Sequence, residues 1–216
     1  MKRVLMVDSD SYRRGMTEAA ECLRRGGVVV VPADTGYCLV ADAVNEEAVR
    51  RVFKIKERSF TKPVPVFVAS IAMAKTVAFI DQRTERILVG LWPGQVMVVV
   101  PARAALALAV TAGGRTVGLR LPDHPVPVAL AEKLGRPVVA TSANVSDETS
   151  PQSAGVLMDR FRARLFRPDL VLDVGDLEAP LPLTVLDVSS GAAKIVRVGP
   201  VSKATLARIL EPAPRL

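Results

Sequence analysis

Short β-branched runs alternate along this chain with amphipathic stretches of helical length, and that alternation restricts it to an α/β architecture. Strand-like runs are read at 28–31, 65–68, 96–100, 116–121, 138–140, 170–174, 184–188 and 195–198, with helices predicted at 17–25, 46–56, 71–78, 82–91, 127–134, 154–166 and 202–210. The last two strands meet across Ser190-Gly191, a connection too short for a helical crossover, so part of the pairing must be antiparallel. The expected fold class is therefore α/β, a single domain with a twisted mixed parallel/antiparallel sheet flanked by helices. Gly26-Gly27 sits between the first helix and its strand and reads as a helix C-cap. Segments 146–153 and 176–182 read as exposed loops.

With 216 residues, half of them hydrophobic, the chain can bury a substantial core. One domain over 10–205 and a C-terminal tail over 206–216 are expected. No apolar run reaches 18 residues without a charge, and Asp8 comes too early for a secretory signal, so a soluble, cytoplasmic protein without a membrane role is expected. Cys22 and Cys38 are too few and too badly spaced for a zinc site or a disulfide framework. A net charge of +7 favours polyanionic partners, while an aromatic content of 4% argues against a stacking platform for single-stranded nucleic acid. Small-molecule phosphate binding accounts better for the charge.

The chemistry-bearing segments are few. Thr141-Ser142-Ala143-Asn144 follows an apolar strand, where it serves either as an ordinary turn and N-cap or as a ligand site at a strand end. Pro32-Ala33-Asp34-Thr35-Gly36-Tyr37 is either a plain turn, with Asp34 as an Asx group and Gly36 at positive φ, or a loop in which Thr35 and backbone amides hold a polar ligand. Lys54, Lys56, Arg58 and Lys62 fall within nine residues, a density of charge suited to closing over a triphosphate. Arg120 lies between Leu119 and Leu121 in a strand, so its side chain points opposite to theirs, toward solvent or a cleft; Arg197 is placed alike between Val196 and Val198. His124, the single histidine, lies in the turn-like Pro122-Asp123-His124-Pro125 with no Gly-x-Ser-x-Gly elbow to serve. Neither a Gly-x-x-x-x-Gly-Lys phosphate loop nor a Gly-x-Gly-x-x-Gly follows a strand. Nucleotide binding must use another geometry.

Taken in order, Gly26 to Tyr37, Lys56-x-Arg58, Trp92-Pro93-Gly94, Arg120-Leu121-Pro122, Thr141-Ser142-Ala143-Asn144, Thr184-Val185-Leu186-Asp187 and Arg197-Val198-Gly199 resemble the YrdC family, from about Ala19 to Pro200. The resemblance implies the single-domain YrdC-like fold with a basic concave cleft, in a short form without the extra C-terminal domain of longer members. It also implies an L-threonylcarbamoyladenylate synthase: L-threonine, bicarbonate and ATP give threonylcarbamoyl-AMP and pyrophosphate, for threonylcarbamoyladenosine in tRNA. By position, Lys56 and Arg58 would be catalytic. ATP would be held by Lys56, Arg58, Ser142, Asn144 and Arg197, and threonine by Thr35, Arg120, Thr141 and Thr184. Magnesium would travel with ATP, without protein metal ligands. A tRNA or double-stranded RNA contact and a downstream threonylcarbamoyl transferase complex are implied partners.

The chain departs from the family pattern at Ala33, Gly36, Cys38, Phe67, Gln95, Met97, Asp147 and Leu183. The cationic nucleotide set is complete, whereas Ala33, Met97 and Leu183 make the amino-acid side more apolar. Two alternatives follow: a YciO-like paralogue that binds RNA or nucleotide with little synthase activity, and an adenylating enzyme with a different carbamoyl acceptor.

Overall fold

The computed structural model describes residues 1–178 and 182–210. Among these residues ten strands form one sheet: β1 (Lys2–Leu5), β2 (Val29–Ala33), β3 (Gly36–Asp42), β4 (Val66–Phe67), β5 (Val96–Pro101), β6 (Thr116–Arg120), β7 (Val138–Ser142), β8 (Leu170–Asp173), β9 (Thr184–Asp187) and β10 (Lys194–Arg197). Their order across the sheet is β1-β8-β2-β3-β7-β4-β6-β5-β9-β10. Parallel pairs (β1 with β8, β2 with β8, β4 with β6, β5 with β9) mix with antiparallel ones (β2 with β3, β3 with β7, β4 with β7, β5 with β6, β9 with β10).

Among the described residues eight helices cover the sheet: α1 (Ser9–Arg24), α2 (Glu46–Lys56), α3 (Ile71–Val77), α4 (Gln82–Leu91), α5 (Leu108–Thr111), α6 (Pro125–Leu134), α7 (Ala154–Arg162) and α8 (Lys203–Leu210). Strand alternation divides the core in two. Val29, Val31, Cys38, Val40, Phe67, Val138 and Ala140 face α1 and α6. Val30, Leu39, Val66, Val98, Leu119, Val139 and Leu186 face the other helices. Along β5 the odd positions Met97 and Val99 are half-buried while Val96, Val98 and Val100 are buried.

Local sequence explains the helix ends. Asp8 caps α1 in a capping box with Ser11. Its far end is a Schellman motif: Gly26, at φ +76°, donates its N–H to Leu23 O, and the Gly27 N–H reaches Cys22 O at 2.9 Å. The C-cap reading of Gly26-Gly27 therefore holds.

The structure differs from the expected pattern in several places: α1 begins at Ser9 rather than at 17, α5 is a helix where none is expected, and α7 ends at Arg162 rather than at 166. β3 occupies what reads as loop, because all seven of its residues are buried and a strand covered on both faces shows no alternation. β1 extends the sheet ahead of the expected domain start at residue 10. Residues 206–210 of the expected tail belong to α8, with Leu206 buried, while 211–216 and residues 179–181 of the expected 176–182 loop lie outside the described residues. Both cysteines are free. No helix among the described residues is long and apolar enough to cross a membrane.

Candidate active site

Lys56 is the last residue of α2, and Glu57 in the left-handed conformation (φ 51°) turns the chain so that the Arg58 N–H returns to Phe53 O at 3.0 Å. This reversal sets Arg58 and Lys62 beside Lys56 at the C-terminal end of β7. There Lys56, Arg58, Ser59, Lys62, Thr141, Ser142, Asn144 and Ser146 line a cavity of about 230 Å³, together with Glu57 and Asp147. The structure thus brings Lys56, Arg58, Thr141, Ser142 and Asn144 into one place.

Lys56 is 3% exposed and its ammonium is fully engaged within the protein. Nζ donates to Ser142 O at 2.7 Å, Asn144 O at 2.9 Å and Asn144 Oδ1 at 3.0 Å, with Ser142 Oγ at 3.4 Å. Three N–H groups meet three carbonyl-type oxygens. Asn144 Nδ2 continues the chain of bonds to Val145 O and Glu148 O, and the Ser146 N–H donates back to Lys56 O at 2.8 Å. Lys56 therefore shapes the 142–148 loop, while Arg58, half-buried and bound to Pro63 O, and exposed Lys62 present positive charge to the cavity. Burial, reinforced by the Arg58 charge, holds Lys56 down to about 8.

A second cluster lies at the β2–β3 turn. Asp34 and Thr35 form a two-residue hairpin loop closed by the Ala33–Gly36 pair, with Gly36 at φ +96°. Asp34 is not an Asx group. Its Oδ2 accepts from Arg120 Nη2, an ion pair in which Arg120 is 1% exposed. The alternation reading of Arg120 is right about its face, which it shares with Phe67, but the side chain ends in the turn rather than in solvent. Arg120 Nε donates to Gly94 O at 2.9 Å and Nη1 to Thr35 Oγ1 at 3.2 Å. Gln95 Nε2 donates to Asp34 O at 3.1 Å. The cis Trp92–Pro93 bond begins this segment.

Cys38 joins the two clusters. It pairs with Ser142 across β3 and β7, and its surroundings include Arg120, Asp34 and Lys56; burial pushes the thiol up to about 11. Thr184 and Arg197 are placed differently. Thr184 is fully buried on the sheet face opposite Arg120, paired in register with Val96, and its hydroxyl accepts from the Gly199 N–H. Arg197 is exposed on β10, donates to Leu183 O at 2.7 Å and does not line the Lys56 cavity. His124 serves as N-cap of α6, its Nδ1 accepting from the Val126 N–H. Sequence reasoning missed the Asp34 carboxylate as the partner of Arg120 and Gln95 as a support of the turn. The signal available for the first was an acid at a turn opposite a strand arginine, and nothing local pairs the two.

The Sua5/yciO/yrdC family, described as telomere recombination, matches residues 21–199. A threonylcarbamoyl-AMP synthase from Pyrococcus abyssi is 31% identical over 84% of this chain and 53% of its own length. One from Bacillus subtilis is 30% identical over 91% of this chain and 57% of its own. The chain thus spans a little over half the length of these two relatives, but 93% of a putative threonylcarbamoyl-AMP synthase from Mycobacterium tuberculosis, to which it is 30% identical. A solved structure of Pyrococcus abyssi Sua5 complexed with L-threonine superposes with a TM-score of 0.85 at 28% identity, covering 97% of this chain and 60% of that one. Escherichia coli YciO, at 24% identity, shares the fold with a TM-score of 0.81. By sequence and by fold, the chain belongs to the Sua5/YciO/YrdC family.

Proposed function

We propose that this protein is an L-threonylcarbamoyladenylate synthase, which joins L-threonine, bicarbonate and ATP into threonylcarbamoyl-AMP and releases pyrophosphate, in the cytoplasm and for tRNA modification. The observation that carries this reading is the pairing of two clusters, one cationic around Lys56 and one around Thr35 and Arg120, joined through Cys38 and Ser142. N-carboxythreonine is an anion that must approach a polyanionic triphosphate, so positive charge and alignment are the main catalytic requirements. Arg58 and Lys62 offer that charge to the phosphates. Ser142 and Asn144, set by Lys56, hold the loop beneath them, and magnesium enters with ATP. Thr35 and Arg120 form the amino-acid side, while Thr141, which lines the Lys56 cavity, is assigned to threonine by resemblance. Arg197 and Thr184 remain assigned to ATP and threonine by resemblance, Arg197 with its two Nη groups still able to donate and Thr184 buried on the face opposite Arg120. Contacts with tRNA or double-stranded RNA, and with a transferase complex that consumes the product, belong to the same proposal.

A second reading is favoured by Met97. A Cβ on Gly118 would lie 2.7 Å from its Sδ, so Met97 lies across Gly118 on the face shared with Arg120, next in register to Val185. This apolar wall favours a carbamoyl acceptor other than threonine.

Pyrophosphate release from ATP, magnesium and bicarbonate tests both readings. Threonine-dependent release that is abolished by Lys56→Ala and by Arg120→Ala is the expected result. Release with another amino acid alone would select the second reading, and no release with any of them would overturn both.

A further inference from the structure

Arg120 is engaged at every nitrogen, by Gly94 O, Thr35 Oγ1 and Asp34 Oδ2, and is almost entirely withdrawn from solvent. Asp34 is held unevenly. Oδ2 receives Arg120 and, at 3.3 Å, the Asp123 N–H, whereas Oδ1 is buried with no hydrogen-bond partner among the described residues. A carboxylate oxygen kept from water without a donor is costly, so a group that brings N–H donors to it is favoured there. The Asp34 backbone is fixed independently of its side chain, by the Ala33–Gly36 pair and by Gln95 on Asp34 O. The carboxylate is therefore free to turn about its own side-chain bonds while the hairpin stays in place.

We propose that the Asp34–Arg120 pair is an exchange site for an amino-acid zwitterion: the substrate α-carboxylate replaces Asp34 on Arg120, and the released Asp34 carboxylate takes the substrate α-ammonium. This rests on the synthase reading and names the form in which its amino acid is admitted. The exchange turns one buried ion pair into two and leaves the site neutral before and after, which a low-dielectric pocket requires. A 2-hydroxy acid would leave Asp34 as a second buried anion beside the first. An amine without a carboxylate would leave Arg120 unpaired. An N-carboxylated amino acid would set a second anion against Asp34. The site thus selects free α-amino acids, which enter before their nitrogen is modified.

Titration calorimetry on the whole protein, without ATP or bicarbonate, tests this with L-threonine, L-serine and L-valine against 2,3-dihydroxybutyrate and N-acetyl-L-threonine. The unaltered protein should bind at least one of the amino acids tenfold or more tightly than either analogue. Asp34→Asn, which retains an acceptor for Arg120, should weaken that amino acid tenfold or more, leave ATP affinity within about twofold, and remove the discrimination against the hydroxy acid. Equal binding of the hydroxy acid by the unaltered protein overturns the exchange without any variant. Asp34→Asn binding the amino acid as tightly or more tightly also overturns it, making Asp34 a mere competitor for Arg120. In both cases threonine-dependent pyrophosphate release would leave the synthase reading standing. Absence of amino-acid binding and of pyrophosphate release together would overturn both.

Discussion

At Lys56 the proton count decides function and stability in opposite directions. The ammonium supplies three donors to three oxygens, and the neutral amine supplies two, so the 142–148 loop loses a bond as pH rises through about 8. ATP affinity should fall several-fold across that range, since one hydrogen bond is worth about 0.5–1.5 kcal/mol. The unfolded chain keeps this proton up to the ordinary 10.5, so between 8 and 10.5 the unfolded state binds more protons and the residue's contribution to stability rises with pH, by at most about 3 kcal/mol. Lys56→Met should abolish both slopes, which ATP titrations and urea unfolding at matched pH values measure. Asp34→Ala should behave differently. It leaves the Arg120 guanidinium buried and without its ion-pair partner, and should cost about 3–5 kcal/mol in urea unfolding, more than Asp34→Asn does. The alternation around Arg120 made its direction legible. Its partner was not, because Asp34 is 86 positions away and only the sheet brings the two together.

Elements show where local rules were sufficient. The end of α1 is written in Gly26-Gly27, and the structure adds the reason the second glycine is needed: a Cβ at Gly27 would lie 2.3 Å from Cys22 Sγ and 2.7 Å from Cys22 O. Gly27→Ala should therefore destabilise by about 1–3 kcal/mol in thermal unfolding. Adding Cys22→Ala should recover only part of that loss, since the backbone carbonyl remains in the way. α2 is equally local, with Asn45 capping its start and Glu57 turning its end. β3 is the opposite case. Its seven buried residues carry no two-residue rhythm, and the turn signal in Asp34-Thr35-Gly36 reads as the end of a strand without saying that another begins. The strand exists because β2 and β7 pair with it on either side.

Over the whole molecule, the site lies where the middle of the sheet is most enclosed. β3 and β7 sit between paired neighbours, whereas β1 and β10 are the two edges, and β10 is mostly exposed. Hydrogen exchange should therefore place the β3 and β7 amides near the global unfolding limit, with those of β10 exchanging at least a hundredfold faster through local opening. Comparable protection of β10 and β3 would contradict this account. Local sequence is enough for the α/β class, the mixed pairing, the C-cap at Gly26-Gly27 and the density of charge from Lys54 to Lys62, because each depends on neighbours within a few positions. That Lys56 faces carbonyl oxygens inside the protein, that Asp34 occupies Arg120, and that Thr184 lies on the face opposite Arg120 follows from the assembled sheet. These depend on strand order and register, which join residues far apart in the chain and leave no periodic trace in it.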